Sequence, residues 1–314
     1  MPEETKSYSQ MRKEFYEKYV GNIVPAVQKY ENLRKLKLLL AIIISSIFMV
    51  SGTFVLYSIF TTGGFTNREN GELLKAAIFL FAMAFVAWWW LKKSFENKVK
   101  KQIMPIVCGC FGDMQWSCDQ YEGGEVFSAS GAVPSFTSEQ YDDIFRGSFK
   151  DVNIEIVEPE YVVGSGKHRR TVFDGVIVKL AMNKNFTSHT VIKPNSLIKM
   201  SPLKALRHTE LEDVEFNKKF DVFTNDEIDA RYLITPSFME RLKNIKTAFK
   251  ASSVSCAFYG DLLIIALPTS KDIFSICSLI KKVDDSKQFF QMYEEIISIV
   301  KLIDYFKLDQ KIGL

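Results

Sequence analysis

Two apolar runs govern what this chain can fold into: residues 38–60 (LLLAIIISSIFMVSGTFVLYSIF) and 73–91 (LLKAAIFLFAMAFVAWWWL), with a dozen mostly polar residues between them. The first run has 23 residues and no charge. As a helix it reaches about 35 Å, more than the ~30 Å hydrocarbon core of a bilayer. The second has 19 residues and one charge, Lys75, close enough to its start to reach the headgroups. The pair reads as a transmembrane helical hairpin. A buried hairpin of a soluble protein is the competing reading, and it is disfavoured because soluble helices of this length seldom lack charge.

Flanking charge orients the hairpin. The 37 residues before it carry eight Lys/Arg, and Lys29, Arg34, Lys35 and Lys37 lie close to its start. The ten residues after it carry five: Lys92, Lys93, Lys98, Lys100 and Lys101. Between the runs Arg68 and Lys75 are offset by Glu69 and Glu72. Loops rich in Lys/Arg stay cytoplasmic, so both termini are expected inside. Trp88, Trp89, Trp90, Lys92 and Lys93 are then the expected interface anchors. The chain divides accordingly into a cytoplasmic amphipathic helix at 1–37 and the hairpin at 38–91, with helices 38–60 and 73–91 and an external loop at 61–72. A juxtamembrane helix at 92–111 and a cytoplasmic α+β domain at 112–314 follow.

At 314 residues the chain has room for one sizeable soluble domain beside the hairpin. The net charge of +3 is small and owes much to the membrane flanks, which argues against nucleic-acid binding. Five cysteines is an odd number, none at C-x-x-C spacing, and a cytoplasmic domain would keep them reduced. The first apolar run lies behind a charged segment, so it is expected to act as an uncleaved insertion signal.

Residues 7–37 have apolar positions Phe15, Tyr19, Ile23, Val27, Tyr30 and Leu33 at helical spacing, with a kink expected near Gly21 and Pro25. The pattern repeats after the second run. Phe15, Lys18, Ile23, Pro25 and Val27 match Phe95, Lys98, Ile103, Pro105 and Val107 without a gap. Two related amphipathic helices follow from this, which could pack on each other or mediate self-association. Beyond Phe111 short β-branched and aromatic segments alternate with turn residues. Strands are predicted at 125–130, 144–149, 152–157, 171–180 and 187–192, with 164–170 as a hairpin tip. Helical pieces are predicted at 210–220, after a capping box at Thr224-Asn-Asp-Glu227, and after Thr235-Pro236. Gly260-Asp261 joins a further strand hairpin. A helix at about 284–308 closes the core, with Phe289, Met292, Ile296, Val300 and Ile303 on its apolar side and Glu294, Glu295, Ser298, Lys301 and Asp304 on its polar side. No long helix separates the strands, so the sheet is expected to be mainly antiparallel.

No catalytic, cofactor or metal set emerges. Cys108, Cys110 and Cys118 lack a fourth ligand and zinc spacing, and His168, His189 and His208 lack H-x3-H spacing. Ser165 lies between glycines without the G-x-S-x-G elbow. Asp142 with Asp143, and Asp226 with Glu227 and Asp229, suit turns and helix starts. Ser45 and Ser46 are too few for a transport path. The basic run Lys167, His168, Arg169, Arg170 reads first as a solvated tip. Its functional reading is contact with anionic headgroups or an acidic partner.

Several stretches together resemble a bacterial membrane family catalogued as domain of unknown function 3137. They are Phe15, Ile23-Val24-Pro25 and Glu31 to Arg34; Phe145-Arg-Gly-Ser-Phe149; Val172-Phe-Asp-Gly175-Val176; Asn183-Lys-Asn-Phe186; Phe220-Asp-Val-Phe223; Ala230-Arg-Tyr-Leu-Ile-Thr-Pro-Ser-Phe-Met-Glu-Arg-Leu242; and Ile264-Ile-Ala-Leu-Pro268. The resemblance implies an integral membrane protein and assigns no activity. The expected function is a membrane-anchored binding or scaffolding module whose partners are the bilayer and a protein, lipid-headgroup or acidic ligand. The alternative is a membrane-bound enzyme with a site built from scattered residues.

Overall fold

The computed structural model describes residues 8–62, 70–118, 120–149, 152–181, 186–197, 201–269, 273–282 and 286–306. Most of the loop expected outside the membrane (63–69) and the Asn183-Lys-Asn motif (183–185) lie outside the described residues. The chain forms two compact units, one of Met1–Cys110 with Ser275–Phe289 and one of Phe111–Phe274 with Phe290–Leu314.

The first unit begins with α1 (Tyr8–Lys18), a π-helical turn (Tyr19–Ile23) and α2 (Val24–Gln28). The π turn sits where the kink was expected. Pro25 has no N–H to give to the preceding turn and its ring crowds the carbonyl four residues back, so the helix widens there. Two long helices follow, α3 (Glu31–Thr61) and α4 (Asn70–Cys108). The second amphipathic segment is no separate helix, because α4 runs unbroken through residues 91 and 92 and carries Pro105 in its last turn. The gapless sequence match corresponds to matched burial: Phe15, Tyr19, Ile23 and Val27 are buried, and so are Phe95, Val99, Ile103 and Val107. The π turn and α2 pack against α4, and Lys18 Nζ donates to the Gly109 carbonyl at 2.9 Å. Arg34 is also buried. Its guanidinium binds both oxygens of Glu31 at 2.7 and 2.8 Å and donates to the Leu279 carbonyl at 3.0 Å, fastening the 275–289 segment to α3.

α3 and α4 are antiparallel and meet along a seam of small residues. Asn70, Ala77, Ala84 and Leu91 of α4, each seven residues apart, are buried, as are Ala41, Gly52 and Ile59 of α3. Heptad spacing keeps one stripe of each helix facing its partner. Small side chains let the backbones approach, as between helices in a bilayer. Ser45 Oγ donates across the seam to the Ala84 carbonyl at 3.1 Å, and Lys37 Nζ donates to Ser94 Oγ at 2.8 Å. The large side chains point the other way: Val50, Phe54, Phe79 and Phe85 are exposed by 64 to 71%. By length and composition both helices could cross a membrane.

The tightest point of the seam is Gly52, where a Cβ would stand 3.0 Å from two ring carbons of Phe81. Overpacking a close contact costs about 1–3 kcal/mol. Gly52→Leu is therefore expected to lower the SDS fraction at which the purified chain loses its helical pairing. Val50→Leu, on the exposed side, should leave it unchanged.

Among the described residues of the second unit nine strands form one sheet: β1 (Gln115–Ser117), β2 (Ser138–Phe149), β3 (Val152–Val163), β4 (Arg170–Ala181), β5 (Thr190–Pro194), β6 (Arg207–Thr209), β7 (Phe220–Thr224), β8 (Ser255–Tyr259) and β9 (Leu262–Pro268). Their order is β1-β2-β3-β4-β9-β8-β5-β7-β6, and every pairing is antiparallel. The sheet, both expected hairpin tips and the closing helix agree with the sequence pattern.

Three local expectations are corrected. Residues 125–130 form a short helix, α5 (Gly124–Ala129), not a strand. Glu125 to Ser130 lacks period-two alternation, and helical geometry brings buried Phe127 onto the Tyr121 ring, 5.7 Å between centroids. Of residues 210–220 only α6 (Val214–Asn217) is helical, capped by Asp213, and Phe220 already starts β7. The cap of α7 (Glu227–Leu233) is Asp226, which accepts from the Ile228 and Asp229 amides. Thr224 cannot serve there, because it is paired with Thr190 in the sheet and its hydroxyl accepts from the Asp226 amide at 3.1 Å. For α8 (Pro236–Ala248) the expected cap holds, with Thr235 accepting from Phe238 N at 3.2 Å.

The closing helix is α9 (Ser286–Phe306). Phe289, Met292, Ile296 and Ile303 are buried as expected; the Val300 and Asp304 side chains lie outside the described residues. Glu295 departs from its expected polar face and is only 2% exposed. Its neighbours Met292, Tyr293, Ile296, Ile297 and Ile299 are buried too, so the buried arc of α9 is wider than one stripe and takes in the carboxylate. Gln291 Nε2 donates to Glu295 Oε1 at 2.8 Å.

Burial pushes the Glu295 carboxyl up to about 7, against smaller opposing effects of the Gln291 hydrogen bond and the Lys250 charge. The folded chain thus keeps this proton at pH values where the unfolded chain has lost it. Its contribution to stability is full below the unfolded value of 4.5 and is lost as pH rises through about 7. That amounts to about 3 kcal/mol. Urea unfolding of the full chain, followed by near-ultraviolet circular dichroism from pH 5 to 8, should show a falling midpoint. Glu295→Gln should flatten the pH dependence.

Candidate functional site: a charged and aromatic face of the sheet

Register decides what shares a face. One row crosses all nine strands as Trp116, Phe145, Ile156, Val178, Ile265, Cys256, Ile192, Val222 and Thr209. The next row, on the opposite face, runs Gln115, Arg146, Glu155, Lys179, Ile264, Ala257, Val191, Phe223 and His208. The first row is apolar nearly throughout. The second is apolar in the middle of the sheet and carries three charges where β2, β3 and β4 lie side by side.

Those charges converge on one phenol. Glu155 Oε2 accepts from Lys179 Nζ at 2.7 Å and from the Tyr121 hydroxyl at 2.5 Å, and Arg146 Nε lies 4.0 Å from Oε1. The Arg146 guanidinium carbon stands 5.2 Å from the Tyr121 ring centre, within cation–π range. Tyr121 also packs on Tyr141, 4.9 Å between centroids. Tyr141 in turn donates to Glu139 at 2.6 Å and lies 3.2 Å from the Tyr161 hydroxyl. Phe136 stacks on Tyr161 at 4.1 Å. Gly124 at the start of α5 lies against Glu139 and Tyr141, leaving no room for a Cβ.

The protonation states are set firmly. Burial raises the Tyr121 phenol, with the Glu155 hydrogen bond and charge adding to it. Burial likewise raises Tyr141, helped by its bonds to Glu139 and Tyr161, and raises Tyr161. Burial would also raise the Glu155 carboxyl, but Lys179, Tyr121 and Arg146 outweigh it and hold that carboxyl low. At neutral pH the phenols therefore stay protonated and Glu155 stays ionised, with the Tyr121 and Tyr141 hydroxyls donating to Glu155 and Glu139. Such groups orient and bind; they do not exchange protons readily.

A second polar cluster lies at the start of β5. Asp229 Oδ2 accepts from Ser188 Oγ at 2.5 Å, from the Ser188 amide at 3.2 Å and from Thr187 at 3.2 Å. His189 pairs with the Ser130 carbonyl at 2.8 Å. These bonds tie α7 and the turn after α5 to the sheet. His208 meets buried Asp221 at 3.3 Å. The three histidines and the acid pairs are thus spread over the unit, with Asp143 accepting from Trp116 at 2.6 Å. Among the described residues no three metal-ligating side chains come together.

Lys167, His168, Arg169 and Arg170 all lie exposed at the β3–β4 tip. Trp89, Trp90 and Lys93 are exposed on α4, with Trp88 and Lys92 half-buried. Sequence reading missed the Tyr121–Glu155 cluster. Its only trace was Glu155 on the polar side of an alternating strand; which residues stand opposite it depends on register, which one sequence does not display.

The architecture is that of an antiparallel α+β domain joined to a pair of long apolar helices. Residues 171–308, from β4 through α9, match the family described as protein of unknown function (DUF3137), as the sequence motifs implied. A search of curated proteins found no match. Among solved structures, the crystal structure of the mycobacterial trehalose monomycolate transport factor A, TtfA, is similar at 10% identity and a TM-score of 0.38, over 70% of this chain and 98% of that one.

Removing Glu155 leaves Lys179 and the Tyr121 hydroxyl without their acceptor. Glu155→Ala is expected to cost about 1–3 kcal/mol and Tyr121→Phe about 1 kcal/mol. Because both changes remove the same bond, the double variant should fall short of their sum. Urea midpoints of the four chains test this.

Proposed function

We propose that the chain is a membrane-anchored binding module. α3 and α4 form a two-helix anchor in a bacterial inner membrane, both termini lie in the cytoplasm, and the nine-stranded domain is held near the membrane to bind a polar or acidic ligand. The observation that carries this reading is the inverted exposure of the helical pair: alanine and glycine face inward, while Val50, Phe54, Phe79 and Phe85 face outward. In water that arrangement would expose a large apolar surface, whereas in lipid it costs nothing. The Lys/Arg clusters at 29–37 and 92–101, with Trp89 and Trp90 at the same end of the pair, support the orientation.

Binding rather than catalysis is favoured by the chemistry of the sheet face. Tyr121, Tyr141 and Glu155 are each locked in one protonation state, and a general acid or base works best near the working pH.

Alkaline carbonate extraction of membranes holding the full chain, together with reporter fusions, tests the anchor. The chain should stay with the membrane pellet. Alkaline phosphatase inserted within 63–69 should be active, and the same enzyme at the C-terminus inactive. Release of the chain into the carbonate supernatant, or the opposite reporter pattern, would reject the reading.

A further inference from the structure

The β3–β4 hairpin extends past β9 on one side, while β2 pairs along its other side as far as Val162. β3 and β4 remain paired out to Val163 opposite Arg170, whereas the pairing of β9 with β4 ends at Pro268 opposite Gly175. The tip therefore overhangs β9 by about 15 Å at roughly 3.3 Å per residue. Its turn is rigidly built. Gly164 has φ +84, and a Cβ there would meet the His168 carbonyl oxygen. A single 3-10 turn then runs through Gly166–His168, with His168 N donating to the Ser165 carbonyl at 3.1 Å.

On this arm Lys167, His168, Arg169 and Arg170 stand side by side and exposed. From residue 161 to 173 there is no Asp or Glu, and the nearest acids along the strands are Glu160 and Asp174. With His neutral the segment carries +3, equal to the net charge of the whole chain. The positive charge of this segment is thus unrelieved within the turn. Some other exposed cations of the unit find carboxylates, as Lys218 does with Glu215 and Arg231 with Glu212. Among the described residues none of the four tip side chains makes an ion pair.

We propose that this tip is a docking site for anionic lipid headgroups, through which the domain rests on the leaflet that anchors it. The inference deepens the membrane-anchored reading and rests on it. Two guanidinium groups and an ammonium suit phosphate esters, the guanidinium by paired parallel hydrogen bonds and the ammonium as a point charge. Each Lys or Arg close to an anionic leaflet contributes about a fivefold gain in binding, so three give about a hundredfold. An anchored domain meets the leaflet at a high effective concentration, so contacts too weak for a free protein become occupied.

Amide hydrogen exchange of the full chain in nanodiscs tests this, comparing pure phosphatidylcholine with phosphatidylcholine containing phosphatidylglycerol. Exchange of peptides covering 164–171 should slow by about tenfold or more in the anionic discs. The slowing should vanish in strong salt, where the Debye length shrinks to about 3 Å. It should also vanish in the Lys167→Glu, Arg169→Glu, Arg170→Glu chain. The milder triple change to Gln should weaken it, with exchange in β8 and β9 unchanged as a control on folding. Equal exchange in the two lipid compositions overturns the proposal while leaving the anchor intact. Protection produced by soluble polyglutamate but not by phosphatidylglycerol overturns it in favour of an acidic protein partner. A chain that does not enter nanodiscs overturns the anchor and the docking site together.

Discussion

The register of the nine-stranded sheet is the constraint on which the rest of the second unit depends. The row from Trp116 through Phe145, Ile156, Val178, Ile265, Cys256, Ile192 and Val222 is anchored by side chains with no polar alternative. Slipping any strand by one residue would send its apolar set to the other face. Sliding β3 against β4 would at the same time part Glu155 from Lys179. The adjacent row is therefore placed by its neighbour. Burial fixes the register, and the register assembles Arg146, Glu155 and Lys179 around Tyr121. The hydrophobic effect, which has no direction of its own, thereby sets a polar geometry.

In the first unit the same side-chain chemistry is arranged inside out. Ala77, Ala84 and Gly52 occupy the contact that Leu or Ile would fill in water, and the bulky residues turn outward. Where the surroundings are as apolar as the core, burying a large side chain gains little, and close backbone approach becomes the main source of attraction. Phe81 lying over Gly52 and Ser45 bonding to the Ala84 carbonyl are what such an interface needs. The amphipathic stretches at Phe15 to Val27 and Phe95 to Val107 restore the ordinary arrangement, with apolar side chains buried.

How much of this was legible in the sequence follows from the range of each interaction. The apolar helices, the Thr235-Pro236 start and the turns at 164–170 and Gly260-Asp261 rest on residues a few positions apart, and each was readable. Residues 125–130 were misread because six residues with no clear period fit a strand or a helix equally well. Thr224 looked like a cap because Glu227 follows it at the right spacing, but the sheet had the prior claim through Thr190. Glu295 looked exposed because helical spacing gives the direction of a side chain and says nothing of how wide an arc its neighbours cover. Tyr121, Arg146, Glu155 and Lys179 span 58 residues of sequence and four chain segments. Register unites Arg146, Glu155 and Lys179, and the loop between β1 and α5 brings Tyr121 to them.

The distribution of satisfied and unsatisfied charge separates structural groups from groups available for recognition. Glu155, Asp229 and Asp221 each accept from groups of the chain itself, and those bonds hold loops and strands in place. A group committed in this way has little left for a ligand, since a new contact must first displace an existing one. The four basic residues of the β3–β4 tip are placed in the opposite manner. Their turn is held by backbone bonds and by Gly164, so the side chains are not needed to keep its shape. Nothing acidic lies within the turn to neutralise them. A turn held by its own backbone has that part of its ordering cost already met, so an anionic surface meeting it gives up only the side-chain freedom of the cations.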